Sequence, residues 1–407
     1  MLRFTNLNTI NLFFLFIYLL LKISDGKIDE KLMGNVAWDS NFLKEKSQIV
    51  PITDIRPPER RIWIITTACL PWMTGTSINP LLRAAYLSND RPKGMVTLFV
   101  PWLEKEDQEI IFPKSLRFNH PNEQSEYVKK WLIEQANLPY AAEKLDIKFY
   151  SGRYHDEFHS IFPMGDITDL IPDDEADICV LEEPEHLNWY RAPFKSKAWT
   201  EKFKHVVGII HTNYLVYARS IQGGFIKEPF LHIVNQGMCR AYCHKIIKLS
   251  DALQEFAPTK EVTSNVHGVR DHYLKIGDKV SAHGFSKGAY FVGKLAWAKG
   301  LDILLDFMKS IKMKNGKVFP IDIYGHGPHE EEIKKLAENY KIPAYFFGGK
   351  DHAQLKDYKL FINPSISEVL CTAIVEVISN NDRYFENHNF KKAILFFLFR
   401  LLPWGNG

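Results

Sequence analysis

The sequence predicts two α/β domains in series, each built on a doubly wound parallel sheet, with the second domain incomplete. Three observations carry this. Short β-rich runs alternate with helical patterns over residues 60–265. The alternation stops in a linker and restarts near residue 285. The β runs are apolar without strict two-residue alternation, as in strands covered on both faces. Ligands of such sheets collect at the carboxyl ends of the strands, so two facing domains would enclose a cleft.

In chain order, Ile62 to Thr67 reads as the first strand and ends in a loop containing Pro71 and Gly75. INPLLRAAYLSND reads as a helix with Asn79 as its cap and Pro80 at its first position. MVTLFVPW, DIKFYSG, DICVLEE, HVVGIIHT and KIIKLS read as further strands, with helical patterns such as NEQSEYVKKWLIEQ between them. The first domain is placed at 60–265, a linker at 266–284 and the second domain at 285–378. That second domain opens with a strand, a Gly-Lys loop and an amphipathic helix, GAYFVGKLAWAKGLDILLDFMKSI. VFPIDIYGHGP is a strand with a glycine-rich turn, EEEIKKLAENY a charged helix, AYFFGG and KLFINPS strands, and EVLCTAIVEVI a helix.

Composition narrows the function classes. The formal charge is 51 − 48 = +3, too small to point to nucleic acid but compatible with an anionic lipid surface. Five scattered cysteines give no disulfide framework, and Cys239 and Cys243 read as packed thiols rather than metal ligands. Residues 1–26 combine Arg3 with the apolar run Ile10 to Leu21, the form of a signal peptide or a short anchor, followed by a polar leader at 27–59. Residues 379–407 bring no further β/α unit. They read as an aberrant tail, either a membrane-seeking amphipath or noncoding sequence translated through a missed splice site. The expectation is a chain that is poorly active or unstable.

Several positions carry possible chemistry. In GKLAWAKG, Lys294 and Lys299 follow a strand in a loop opened by glycines, which suits a phosphate, although an ordinary surface loop with lysines at a strand end is the commoner case. Gly325 in YGHGP permits close ligand approach or simply a turn. Glu368 and Glu376 lie in the apolar stretch INPSISEVLCTAIVE. Eight residues of helix separate them by about 12 Å on nearly one face, which fits the two ends of a nucleotide sugar. The alternative is a dipole-stabilised Glu368 and a solvated Glu376. HTNYL sets His211 and Asn213 at a strand's carboxyl end, beside a reacting sugar or merely in a polar loop. LEEPEHLNWY groups Glu182, Glu183, Glu185, His186 and Trp189 as sugar-binding side chains or as a solvated acidic loop. The Gly75 loop offers backbone N–H groups to a phosphate or acceptor. No DxD follows a strand, and Asp173-Asp174 reads as a cap or solvated loop.

Taken together, WIITTACLPWMTGTSINPLLRAAYL, LEEPEHLNWY, VVGIIHTNYL, NVHGV, GKLAWAKG and FINPSISEVLCTAIVE resemble the digalactosyldiacylglycerol synthases, within the retaining glycosyltransferases of family 4. The resemblance runs from about Arg60 to Glu376 and fails from Ser379 onward. It implies the GT-B fold, two Rossmann-like domains facing a cleft. It also implies transfer of galactose from UDP-galactose to monogalactosyldiacylglycerol by front-face retention, with no essential metal or other cofactor. By that pattern Lys294 and Lys299 hold the diphosphate, Glu368 reads the galactose and Glu376 the ribose. His211 stands beside the reacting sugar and the Gly75 loop meets the donor phosphates. A galactolipid acceptor, peripheral or N-terminally anchored membrane association and the plastid outer envelope, with the secretory pathway as one route to it, complete the expectation. A noncatalytic lipid-binding or decayed GT-B protein and a transferase for another donor sugar are the alternatives.

Overall fold

The computed structural model describes residues 54–155, 160–188, 197–212, 224–251, 253–264, 266–267, 286–350, 354–355 and 358–365. The apolar N-terminal stretch, most of the linker and the tail lie outside these residues. Among the described residues no helix is long and apolar enough to cross a membrane.

The first sheet contains β1 (Ile62–Ile65), β2 (Val96–Leu103), β3 (Asp146–His155), β4 (Ser160–Pro163), β5 (Ile178–Glu182), β6 (His205–Ile210), β7 (Lys245–Lys248) and β8 (Glu261–Thr263). Their order is β4-β3-β2-β1-β5-β6-β7-β8. Only the β3–β4 pair is antiparallel. The strand order therefore reverses between β1 and β5, the topological switch point where open α/β sheets hold ligands. The helices that accompany this sheet are α1 (Gly75–Asn89), α2 (Lys105–Ile111), α3 (Pro121–Glu134), α4 (Pro139–Lys144), α5 (Pro184–Asn188), α6 (Trp199–Lys202) and α7 (Gly224–Tyr242).

The unbroken apolar run of β1 has a direct cause. Ile62 and Ile64 pack into one core with Leu81, Leu98, Val128 and Leu132, while Trp63 and Ile65 pack into another with Trp199, Val206, Cys239 and Cys243. Each such burial contributes about 1.5–3 kcal/mol, so a polar residue on either side would be costly. Cys239 and Cys243 are free, buried thiols, as the sequence suggests.

The start of α1 differs from the sequence expectation. Thr74, not Asn79, precedes the first helical residue, and Pro80 lies inside the helix. A proline there removes the N–H that would serve the carbonyl of Thr76. The hydroxyl of Thr66 replaces it, donating to Thr76 O at 2.6 Å. Strands β4 and β8 also escape sequence reading. They have four and three residues, too few to show a period.

The second sheet holds β9 (Lys287–Val292), β10 (Ile321–Tyr324), β11 (Ala344–Phe347) and β12 (Tyr358–Phe361), in the order β11-β10-β9-β12 and parallel throughout. Helices α8 (Leu301–Asn315) and α9 (Glu330–Asn339) supply Leu304, Leu305, Met308, Ile333 and Ala337 to the core against Ala289, Phe291, Ile321 and Ile323.

Candidate active site

At the switch point, β1 is followed by Thr66-Thr67, β5 ends at Glu182 and is followed by Glu183, and β6 is followed by His211-Thr212. The parallel register of β1, β5 and β6 brings these ends side by side. Glu183 takes a left-handed conformation, φ 66°, which bends the chain from β5 into α5. The bend is fixed by Glu183 N donating to Ile209 O at 2.9 Å. Helix α5 is in turn pinned by Asn188, whose Nδ2 donates to Pro184 O at 2.6 Å and whose Oδ1 accepts Trp199 Nε1 at 2.9 Å.

Two adjacent carboxylates are thereby buried. Glu182 is 0% exposed and accepts Arg83 Nε at 2.6 Å on Oε1 and His211 Nε2 on Oε2. Burial alone would raise its pKa, but the Arg83 charge and the His211 contact reverse this and hold it at about 2. Glu183 accepts Thr67 Oγ1 at 2.9 Å and Thr212 Oγ1 at 2.5 Å, with His186 Nδ1 at 3.6 Å. Burial again opposes its charge, and the His186, His211 and Thr212 contacts hold it at about 2. Glu185 is the opposite case. It is 0% exposed, and neither oxygen has a hydrogen-bond partner among the described residues. Burial, reinforced by the charge of Glu183, pushes its carboxyl well above the usual range; only its own backbone N–H acts the other way. Glu185 thus favours its protonated form, in contrast to the two carboxylates beside it.

Arg83 reaches further. Its Nη1 donates to Val266 O at 2.9 Å, and Nη2 lies 3.3 Å from His267 Nδ1. The His267 ring lies against His211, with centroids 4.8 Å apart. Burial first, then the nearby His211 and Arg83, lower the His267 pKa to about 3, so it stays neutral.

In the second sheet, the loop after β9 and the turn after β10 are joined by backbone contacts. Gly293 N donates to Tyr324 O and Leu295 N to His326 O, each at 3.0 Å. Gly325, at φ 137°, is required here: a Cβ would stand 1.9 Å from Gly293 O. At Gly300, φ 71°, a Cβ would stand 2.0 Å from Pro364 O, so the lysine loop is seated directly on the segment that leads toward Glu368. The Lys294 side chain is accessible yet ringed by protein, and this desolvation, with the Lys299 charge, lowers its pKa. The two ammonium groups therefore sense each other across this loop.

The predicted site residues therefore separate into three groups. Glu182, Glu183, Glu185, His186 and His211 are gathered at one strand edge, and the three glutamates and His186 are buried, which rules out the solvated acidic loop. Both oxygens of Glu182 and of Glu183 are engaged by protein groups, so their geometry is that of a supporting frame. Lys294, Lys299 and Gly325 share the second sheet's carboxyl edge, and Gly75 is the first residue of α1 rather than a loop residue. Trp189, Asn213, Glu368 and Glu376 lie outside the described residues. Sequence reading missed Arg83, Thr67, Thr212 and His267. Arg83 carried a signal, as the one charge inside the apolar helical run LLRAAYL. Among the described residues no group of three or more acidic, histidine or cysteine side chains could hold a metal ion.

The family model Glycosyl transferases group 1 matches residues 280–381. Digalactosyldiacylglycerol synthase 2, chloroplastic, from Arabidopsis thaliana is 43% identical over 329 residues, covering 79% of this chain and 67% of the relative. Digalactosyldiacylglycerol synthase 1, chloroplastic, is 46% identical in both Arabidopsis thaliana and Glycine max, covering 80% and 88% of this chain. The chain spans less than half the length of those two, 41% and 46%. Among solved structures, a UDP-forming α,α-trehalose-phosphate synthase from Burkholderia vietnamiensis is 10% identical with a TM-score of 0.45, covering 80% of this chain and 82% of that one. The two doubly wound sheets in series, with the group 1 match over the second, correspond to the GT-B class of α/β fold. At 43% identity over two thirds of a curated relative's own length, this chain belongs to the digalactosyldiacylglycerol synthase family.

Proposed function

We propose that the chain transfers galactose from UDP-galactose to monogalactosyldiacylglycerol, with retention, to give digalactosyldiacylglycerol. The observation that carries this reading is the buried Glu182–His211 couple at the switch point of the first sheet, in a chain 43% identical to a curated synthase. On this reading the lysine loop supplies the charge that stabilises the leaving diphosphate. Lys294 and Lys299 are preorganised for it by the Gly300 and Gly325 contacts, as electrostatic stabilisation of a developing anion requires. His211 serves the reacting sugar, Gly75 and its neighbours at the start of α1 face the donor phosphates, and Glu368 and Glu376 read galactose and ribose. Asn213, Trp189 and the frame built by Glu182, Glu183, Glu185 and His186 serve the acceptor side. The reaction needs no metal, since cationic side chains take the diphosphate.

The relatives are named chloroplastic, which supports work in the plastid. A galactolipid substrate requires contact with a membrane surface, and peripheral association at the outer envelope is the form proposed. The decisive assay incubates the purified full chain with labelled UDP-galactose and vesicles containing monogalactosyldiacylglycerol. Labelled α-linked digalactolipid is expected at low turnover, undiminished by EDTA. No lipid product, or efficient use of UDP-glucose in place of UDP-galactose, would overturn the reading.

A further inference from the structure

We propose that Arg83 is a positioning residue that sets the tautomer of His211 through Glu182, a role that rests on the galactosyl-transfer reading only in so far as His211 serves a sugar. The argument is an inventory of donors and acceptors. A guanidinium has donors and no acceptor, so Oε1 of Glu182 must accept from Arg83 Nε. An ionised carboxylate has no proton of its own, so Oε2 must also accept. His211 Nε2, which meets Oε2, is then obliged to carry the proton. In the neutral ring this leaves Nδ1 as the acceptor nitrogen, the one able to receive a hydroxyl proton from a substrate.

Arg83 is suited to this because it cannot turn away. Three groups on two segments fix its guanidinium: Glu182 at the end of β5, and the Val266 carbonyl and His267 ring that follow β8. Its side chain is 13% exposed and that of Glu182 is 0%, so water does not compete for the carboxylate. The low pKa of Glu182 agrees with the ionised form the inventory needs. The ring of His267, against His211, limits the rotation by which His211 could exchange its nitrogens.

A substitution of equal shape tests this. In Glu182→Gln, Arg83 still claims the side-chain oxygen, so the amide N–H2 must face His211. Nε2 then has to accept, and the proton moves to Nδ1. We expect kcat to fall at least ~100-fold, as for a wrong tautomer at other catalytic histidines, with KM for UDP-galactose changed by less than about threefold. Imidazole 15N spectra of histidine-labelled protein, assigned with His211→Asn, should show the protonated nitrogen switching from Nε2 to Nδ1. The double variant Arg83→Met with Glu182→Gln leaves the amide free to turn over. It should restore the Nε2–H form and recover roughly tenfold in kcat over Glu182→Gln alone. A control on the same stretch is Arg91→Met. Among the described residues Arg91 bonds only the carbonyls of Leu87 and Ile55, at 2.8 and 2.7 Å, and its loss should lower stability without moving the His211 resonances. The proposal is overturned by a Glu182→Gln protein that keeps Nε2–H, or by a double variant no different from the single one in tautomer and rate. If the unsubstituted chain transfers no galactose, the functional reading fails, while the 15N spectra still decide the role of Arg83.

Discussion

Replacing Glu185 with glutamine should make the stability of the first sheet less sensitive to pH, by an amount that follows from the site. Glu185 is fully buried, its oxygens lack partners among the described residues, and Glu183 carries a charge nearby. Its pKa in the folded chain is therefore raised above the unfolded value, near 4.5. A raised pKa contributes stability that is complete below the unfolded value and is lost as pH climbs toward the folded one. Over that window the unfolded chain has released a proton that the folded chain retains. Stability falls by about 1.4 kcal/mol per pH unit for this one group. Glutamine has no proton to release. The difference in unfolding free energy between Glu185→Gln and the original should thus grow as pH rises from 5 to 7, by no more than about 1.4 kcal/mol per pH unit. Glu183 and the buried thiols Cys239 and Cys243 titrate in both proteins and cancel to first order. Urea unfolding followed by tryptophan emission reads the change where it occurs, because Trp63 and Trp199 share a core with Cys239 and Cys243. A difference that stays flat between pH 5 and pH 7 would refute the reasoning.

Other outcomes follow from single contacts. Thr67→Val removes a hydroxyl from the buried Glu183 carboxylate and should lower unfolding free energy by about 1.5–3 kcal/mol, measured by urea titration at pH 7. Gly300→Ala combines a left-handed backbone with a contact at 2.0 Å and should cost more than ~1 kcal/mol, seen as faster proteolysis within residues 286–365. Lys294→Ala removes one of two mutually repelling ammonium groups and should weaken UDP binding by about tenfold in calorimetry, with the melting temperature little changed.

The alternation of apolar runs was enough to read both sheets, because strands covered on two faces leave little choice of residue. Strand β1, with Ile62 and Ile64 in one core and Trp63 and Ile65 in another, shows why. The short strands β4 and β8 were illegible, since three or four residues define no period and their pairing depends on neighbours far along the chain. The site was legible in part. Glu182, Glu183 and His211 could be found because polar residues directly following apolar strands fall at a sheet's carboxyl edge. Which of the glutamates would be ionised could not be read. That is decided by Arg83, 99 residues away in sequence from Glu182, and by the absence, among the described residues, of any such partner at Glu185. Pro80 misled for a related reason. A proline suggests a helix start when only neighbours in sequence are considered, whereas here a strand residue supplies the missing donor.

That supplied donor ties two positions into a pair. Thr66 and Pro80 are each acceptable because the other is present: the hydroxyl mends the gap that the ring leaves in the helix ladder. A chain that lost the threonine first would carry an orphaned carbonyl, and one that lost the proline first would have a hydroxyl competing with a restored amide. Drift at these two sites should therefore proceed jointly, and the tether between β1 and α1 that results keeps Thr67 aimed at its carboxylate while the surrounding surface is free to vary.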